Sequence, residues 1–287
     1  MAAHPYRLVN VFTRGAEPLS GNPLCVFEDA AALGAPVMQA LARQFNLSET
    51  TFILPSRAAS ARVRIFTPSY EMPFAGHPTL GTAHVCRAIG RAGDALTLEM
   101  PAGIIPVRAV GNRWTLQANA PRWREFGGSR ESLAAMLAVD AADIGERPLW
   151  VNAGREQLIV PLASEAAVRR VQPRGELLAQ LRSADGASMA YVFAPHTSAA
   201  GGTERVLARF FFPQGPAVLE DPATGSAAAN LGGWCLAVGR ALPCRFEIAQ
   251  GEYTGRPSNL YLEVDSERRI LVSGEVIELG RGMLELP

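Results

Sequence analysis

Three ionisable side chains stand where proton-transfer chemistry could be carried. They are Glu49 in Ser48-Glu-Thr-Thr-Phe52, His77 in Phe74-Ala-Gly-His-Pro-Thr79 and Asp221 in Glu220-Asp-Pro-Ala-Thr-Gly-Ser226. Glu, His and Asp are residue types that serve as general acids and bases. Burial of Glu49 in a dry cleft would suit it to act first as base and then as acid. Gly76, Gly225, Ser226 and Gln250 are candidate substrate-binding residues. Gly76 and Gly225 each precede a residue able to start a helix. Free N–H groups at a helix start attract anions, and glycine lets a ligand approach the backbone, so a carboxylate or enolate oxygen could sit there. Each residue also has a plain structural reading: His77 and Ser226 as helix caps, Asp221 as a turn former before Pro222, Glu49 as a surface charge.

An internal repeat sets these residues apart. Residues 71–92, EMPFAGHPTLGTAHVCRAIGRA, align without gaps on 220–241, EDPATGSAAANLGGWCLAVGRA, with eight identities. The flanks agree: Arg64-Ile-Phe-Thr-Pro68 and Arg209-Phe-Phe-Phe-Pro213 precede the copies, and Thr51-Phe-Ile-Leu-Pro55 and Tyr191-Val-Phe-Ala-Pro195 come before those. Short β-branched or aromatic runs ended by proline read as strands. Leu96–Met100 and Phe246–Ala249 read as strands after each copy. Structural positions should match between copies, whereas catalytic ones need not. Glu49 falls opposite Met189, Asp221 opposite Met72, His77 opposite Ser226 and Gln250 near Ala102. The polar groups found in one half alone suit an asymmetric acid/base site.

The elements that must position them follow from the same repeat. Pro78–Ile89 and Ala227–Val238 are apolar nearly all round and rich in Gly and Ala. Such helices are buried on every face. Glycine within a helix is unfavourable by about 1 kcal/mol relative to Ala, so Gly81, Gly232 and Gly233 need a packing reason. The expected fold class is α+β: two pseudo-symmetric half-domains, each a curled, barrel-like β-sheet around a central α-helix. The N-terminal half is placed at 1–118, with the C-terminal strand 279–287 able to complete it, and the C-terminal half at 119–278. The crossover falls in Gln117–Trp123, and the active-site cleft is expected between the halves.

Composition narrows the function classes. The chain has 27 Lys plus Arg, 27 Asp plus Glu and no net charge. No basic stretch suggests nucleic acid. No apolar run reaches the roughly 20 residues that span a bilayer, and no signal peptide is read at the start, so a cytoplasmic protein is expected. The four cysteines, Cys25, Cys86, Cys235 and Cys244, form no CxxC pair and no zinc-like spacing. Reduced thiols and no metal are expected. No Walker or Rossmann glycine pattern supports nucleotide chemistry. His4, His84 and His196 lack a site context and are read as structural or surface residues.

The motifs quoted above, together with Gly21-Asn-Pro23, Gln250-Gly-x-x-x-Gly-Arg-Pro-Ser258 and Gly274-Glu-Val276, resemble the phenazine-biosynthesis PhzF-like family over nearly the whole chain. The resemblance implies a diaminopimelate epimerase-like fold, a cofactor-free isomerase and a homodimer. It implies an activity similar to trans-2,3-dihydro-3-hydroxyanthranilate isomerisation, in which Glu49 moves a proton between carbons of a small carboxylate. It also implies site roles for His77 and Asp221, with Ser48, Gly76, Gly225 and Ser226 where substrate oxygens are held. In related epimerases and racemases the two helix-start positions are cysteines acting as paired thiol bases. Here they are Gly76 and Gly225, while Cys86 and Cys235 lie further along the helices. That departure favours a one-carboxylate shuttle over two-thiol inversion. An epimerase or racemase of a small carboxylate, and a non-catalytic small-molecule binding protein, are the competing readings.

Overall fold

The computed structural model describes residues 2–195, 203–215 and 217–286 of an α+β chain. Two compact units divide it, Met1–Gln117 with Ser273–Pro287 and Ala118–Val272. The sequence reading carried the second half on to residue 278, whereas the second unit ends at Val272. His196 lies outside the described residues. Among the described residues no helix is long and apolar enough to cross a membrane.

The first unit runs β1 (Ala2–Val11), β2 (Asn22–Phe27), α1 (Ala35–Phe45), β3 (Glu49–Leu54), β4 (Ala61–Phe66), β5 (Glu71–Met72), α2 (Gly76–Ala88), β6 (Ala95–Met100), β7 (Gly103–Val110) and β8 (Arg113–Gln117). β1 is antiparallel to β2, β2 is parallel to β3, and β3 is antiparallel to β4. β4 takes β5 antiparallel and β6 parallel, and β6, β7 and β8 form an antiparallel meander. α2 touches β1, β2, β3, β4, β6 and β8, so the sheet curls around it. Every residue of α2 from His77 to Cys86 is buried. This is the fate expected of a helix with no polar face. The packing reason for Gly81 is direct: a Cβ there would stand 2.6 Å from Leu24 Cδ2 and 2.9 Å from Val11 Cγ2.

The second unit repeats the plan. It runs β9 (Arg122–Glu125), α3 (Arg130–Leu137), β10 (Leu149–Asn152), β11 (Glu156–Pro161), α4 (Glu165–Arg170), α5 (Gly175–Leu178), β12 (Ala190–Pro195), β13 (Thr203–Gln214), β14 (Ala217–Asp221), α6 (Gly225–Ala237), β15 (Cys244–Gln250) and β16 (Ser258–Val264). A last strand, β17 (Ile270–Leu286), continues into the first unit and pairs antiparallel with β1. β10 and β11 are antiparallel, β11 and β12 parallel, β12 and β13 antiparallel. β13 takes β14 antiparallel and β15 parallel, and β15 is antiparallel to β16. Strand for strand, this is the order of β1 to β7. α6 packs against β9, β10, β11 and β16. A Cβ on Gly232 would meet Ile270 Cγ2 at 2.8 Å, and one on Gly233 would meet Val151 Cγ1 at 2.6 Å.

The two central helices begin earlier than the sequence suggests. Gly76 and Gly225 are their first residues, and the extended residues before them, Ala75 and Thr224, are the N-caps. Neither cap makes a side-chain capping bond. The expected capping roles of His77 and Ser226 are therefore not used. Pro78 fits within the first turn because the N–H it lacks has no intrahelical acceptor there. Pro213 also departs from expectation, since β13 continues through it to Gln214 in the hairpin with β14.

Candidate active site

In the first unit the parallel pairing of β2 with β3 sets Glu49 beside Leu24 at the opening rung of β3. His77 occupies the second position of α2 and is 7 % exposed. Its Nε2 lies 3.4 Å from Glu49 Oε2, and the Glu49 side chain is 15 % exposed. A carboxylate and an imidazole, 28 residues apart in the chain, are thus in contact at the start of a buried helix. The N–H groups and dipole of that helix start favour negative charge nearby. Ser48, exposed beside them, donates from Oγ to Asn22 Oδ1 at 3.1 Å. Such a pair can accept a proton from carbon and give it back, with the imidazole facing the carboxylate that carries it.

Each strand that leads into a central helix is pinned by the same device. Arg64 on β4 donates twice to Glu71 on β5, at 2.7 and 2.6 Å, and its guanidinium lies over Phe66. Arg209 on β13 donates twice to Glu220 on β14, at 3.1 and 2.7 Å, and lies over Phe211 and Tyr253. Arg209 also donates to the Val171 carbonyl at 2.8 Å. The residue matches at Arg64/Arg209 and Glu71/Glu220 are therefore structural, as expected for positions shared by both halves. Bidentate Arg–carboxylate geometry fixes direction as well as distance.

In the second unit Asp221 ends β14, and its Oδ2 accepts from the Thr224 hydroxyl. Gln250, at the end of β15 and 2 % exposed, brackets the same turn. Its Nε2 donates to the Asp221 carbonyl at 2.8 Å and to Thr224 Oγ1 at 3.0 Å, and its Oε1 accepts from Thr224 N–H at 3.4 Å. Both amide hydrogens of Gln250 are used by the turn, so it shapes the approach to α6. Gly251 is forced to be glycine: φ is +82°, and a Cβ would stand 2.3 Å from the Arg256 carbonyl and 2.6 Å from the Pro222 carbonyl. Ser226, half-buried, accepts at Oγ from Gln157 Nε2 at 2.9 Å.

Three polar residues in this unit escaped the sequence reading: Thr224, Gln157 and Asn230. A signal existed for one of them. Asn230 falls opposite Gly81 in the repeat, a polar residue in an otherwise apolar helix. The four thiols, in contrast, are all buried. Cys86 and Cys235 are buried inside α2 and α6, and burial pushes the Cys86 thiol up to about 12. His84 is buried too, with its Nδ1 accepting from Trp114 Nε1 at 3.3 Å.

Comparison with known proteins places this architecture. The family model described as phenazine biosynthesis-like protein, PhzC-PhzF, matches residues 9–282. The trans-2,3-dihydro-3-hydroxyanthranilate isomerase of Pseudomonas aeruginosa is 36 % identical, covering 98 % of this chain and 98 % of its own. The crystal structure of a Bacillus anthracis phenazine biosynthesis protein of the PhzF family superposes with a TM-score of 0.86 at 25 % identity, covering 100 % of each chain. A hydroxyproline epimerase from Agrobacterium vitis shares the fold at a TM-score of 0.65 and 14 % identity, over 99 % of this chain and 93 % of its own.

Proposed function

We propose, for a chain that belongs to the phenazine biosynthesis-like PhzC-PhzF family and is an isomerase by class, that it shifts a proton between two carbons of a small cyclic carboxylate with Glu49 as the sole acid/base. The substrate class is that of trans-2,3-dihydro-3-hydroxyanthranilate, on which its relative acts. The observation that carries the reading is the contact of Glu49 with His77 at the start of α2. Glu49 as carboxylate takes a proton from a saturated carbon next to a double bond. The C–H electron pair moves into the π system, the double bond migrates, and the far carbon takes the proton back from Glu49. No atom or electron is gained or lost, so the step as written calls for no cofactor.

His77 orients the carboxylate through the period in which it is protonated. To Asp221 we assign the substrate's amine or hydroxyl, and to Gly76, Gly225, Ser48 and Ser226 its oxygens. Gln250 acts by shaping the turn that carries Asp221. The absence of cysteine at positions 76 and 225 argues against the epimerase alternative, because paired thiol bases would have to stand there. A homodimer in the cytoplasm completes the proposal.

The test is steady-state turnover of trans-2,3-dihydro-3-hydroxyanthranilate by the wild type and by Glu49→Gln, followed by product absorbance. Loss of a general acid/base lowers the rate by about 10²–10⁴-fold. Turnover by Glu49→Gln at the wild-type rate would remove Glu49 from the mechanism, and ligand binding without any wild-type turnover would favour a binding protein.

A further inference from the structure

The second unit holds a line of amide hydrogen bonds whose direction is fixed from end to end. Asn230, in the middle of α6, is fully buried. Its Oδ1 accepts from the backbone N–H of Ala153 at 2.7 Å. A backbone N–H can only donate, so the orientation of the Asn230 amide is settled. Its Nδ2 then donates to the Arg155 carbonyl and to Gln157 Oε1, both at 2.8 Å. With Oε1 committed to Asn230, Gln157 on β11, 1 % exposed, can present only Nε2 to Ser226. That nitrogen donates to Ser226 Oγ at 2.9 Å.

The consequence falls on the Ser226 proton. A hydroxyl has one proton and two lone pairs. Ser226 uses a lone pair on Gln157, whose amide nitrogen has none to offer in return, and no acceptor among the described residues takes the proton. We infer that Gln157, held by Asn230, is a positioning residue that commits the Ser226 hydroxyl to donate to a substrate carboxylate oxygen. This rests on the reading of the α6 start as substrate-holding.

The repeat gives the inference contrast. At the matching positions of the first unit stand His77 in place of Ser226 and Gly81 in place of Asn230, so no such line of amides exists there. One helix start is equipped to face a proton carrier, while the other is equipped to face an acceptor. An oxygen acceptor placed against Ser226 satisfies the proton that Gln157 leaves unused, whereas an ammonium could use only the remaining lone pair and would leave that proton without an acceptor, so the position favours an anionic or carbonyl oxygen.

Gln157→Glu tests this with almost no change of shape. The carboxylate still accepts from Asn230, but it now presents an oxygen to Ser226 and captures its proton. At pH 8 we expect KM for trans-2,3-dihydro-3-hydroxyanthranilate, and Kd for its aromatic analogue 3-hydroxyanthranilate by calorimetry, to rise about ten- to hundredfold, the range for a hydrogen bond to a charged group. The loss in kcat is expected to be smaller. Ser226→Ala should match it, and Gln157→Glu/Ser226→Ala should be no worse than Ser226→Ala alone, because the two act through one hydroxyl. Gln157→Met, which frees the hydroxyl to rotate, should give a smaller rise. Additive penalties, or wild-type KM and Kd in both Gln157 variants, would overturn the inference. If the wild type binds 3-hydroxyanthranilate but turns over nothing, the isomerase reading falls, and the Kd series still decides the role of Gln157. If the wild type binds neither compound, the carboxylate assignment at Ser226 is overturned.

Discussion

Acidification should destabilise this protein through His84, a residue with no part in the proposed reaction. The imidazole sits on α2, 9 % exposed, and its Nδ1 accepts from Trp114 Nε1 at 3.3 Å. Burial, and then the nearby Arg87 guanidinium, push its pKa from 6.5 down to about 4; Arg7 adds to the lowering and Glu278 opposes it. Protonation would also remove the acceptor that Trp114 uses. In the unfolded chain the same imidazole binds its proton near pH 6.5. Between those values the unfolded state holds the extra proton, so stability falls as pH drops from 6.5 towards 4 and is fully present above 6.5. Going from pH 8 to pH 5, the two pKa values give about 2 kcal/mol, reduced towards about 1 kcal/mol by the part of the ring that water reaches. The assay is urea unfolding of the wild type and of His84→Gln, whose amide oxygen can take the Trp114 hydrogen bond without titrating. The stability difference between the two proteins should shift by 1–2 kcal/mol in favour of His84→Gln between pH 8 and pH 5. Parallel pH profiles would refute the reasoning, because every other titrating group is common to both.

Gly81→Ala should lower the melting temperature by several degrees: a gain of about 1 kcal/mol in helix propensity is outweighed by about 1–3 kcal/mol of overpacking against Leu24 and Val11, and a rise in calorimetric Tm would contradict this. Arg209→Ala should cost about 3–5 kcal/mol in urea unfolding, since Glu220 would be left without its partner. The side chains of that pair are only 9 % and 12 % exposed, and a loss below about 1 kcal/mol would show the ion pair to be dispensable. All four thiols are buried, so native protein treated with iodoacetamide at pH 8 should keep its turnover and label fully only in urea. Inactivation in step with native labelling would bring back a thiol mechanism.

The fold was legible because the chain states it twice. Matches such as Gly90/Gly239 and Arg91/Arg240, and the all-apolar helices between them, carried the α+β reading with a buried helix in each half. What spacing could not carry was direction. Glycines at 76 and 225 suggested a turn before each helix, yet both lie inside it, because the extended Ala75 and Thr224 already make the turn. Gln250 read as a substrate contact, but its amide is consumed by the Asp221–Thr224 turn. Glu49 and His77 were each visible as unmatched polar residues. Their contact at 3.4 Å arises from strand pairing and helix placement, which no local pattern encodes. Gln157 left no trace at all, since a glutamine on a β-strand is unremarked until the hydroxyl it faces is known.

The central claim is that Glu49 moves the proton, and exchange with solvent reads that most directly. The Glu49 side chain is 15 % exposed and meets solvent while it holds the proton, so with trans-2,3-dihydro-3-hydroxyanthranilate in deuterated water ¹H NMR should show the wild type placing deuterium at a fraction of the receiving carbons, and Glu49→Gln placing none there over the same time. Deuterium entering at the wild-type rate in Glu49→Gln would contradict the account.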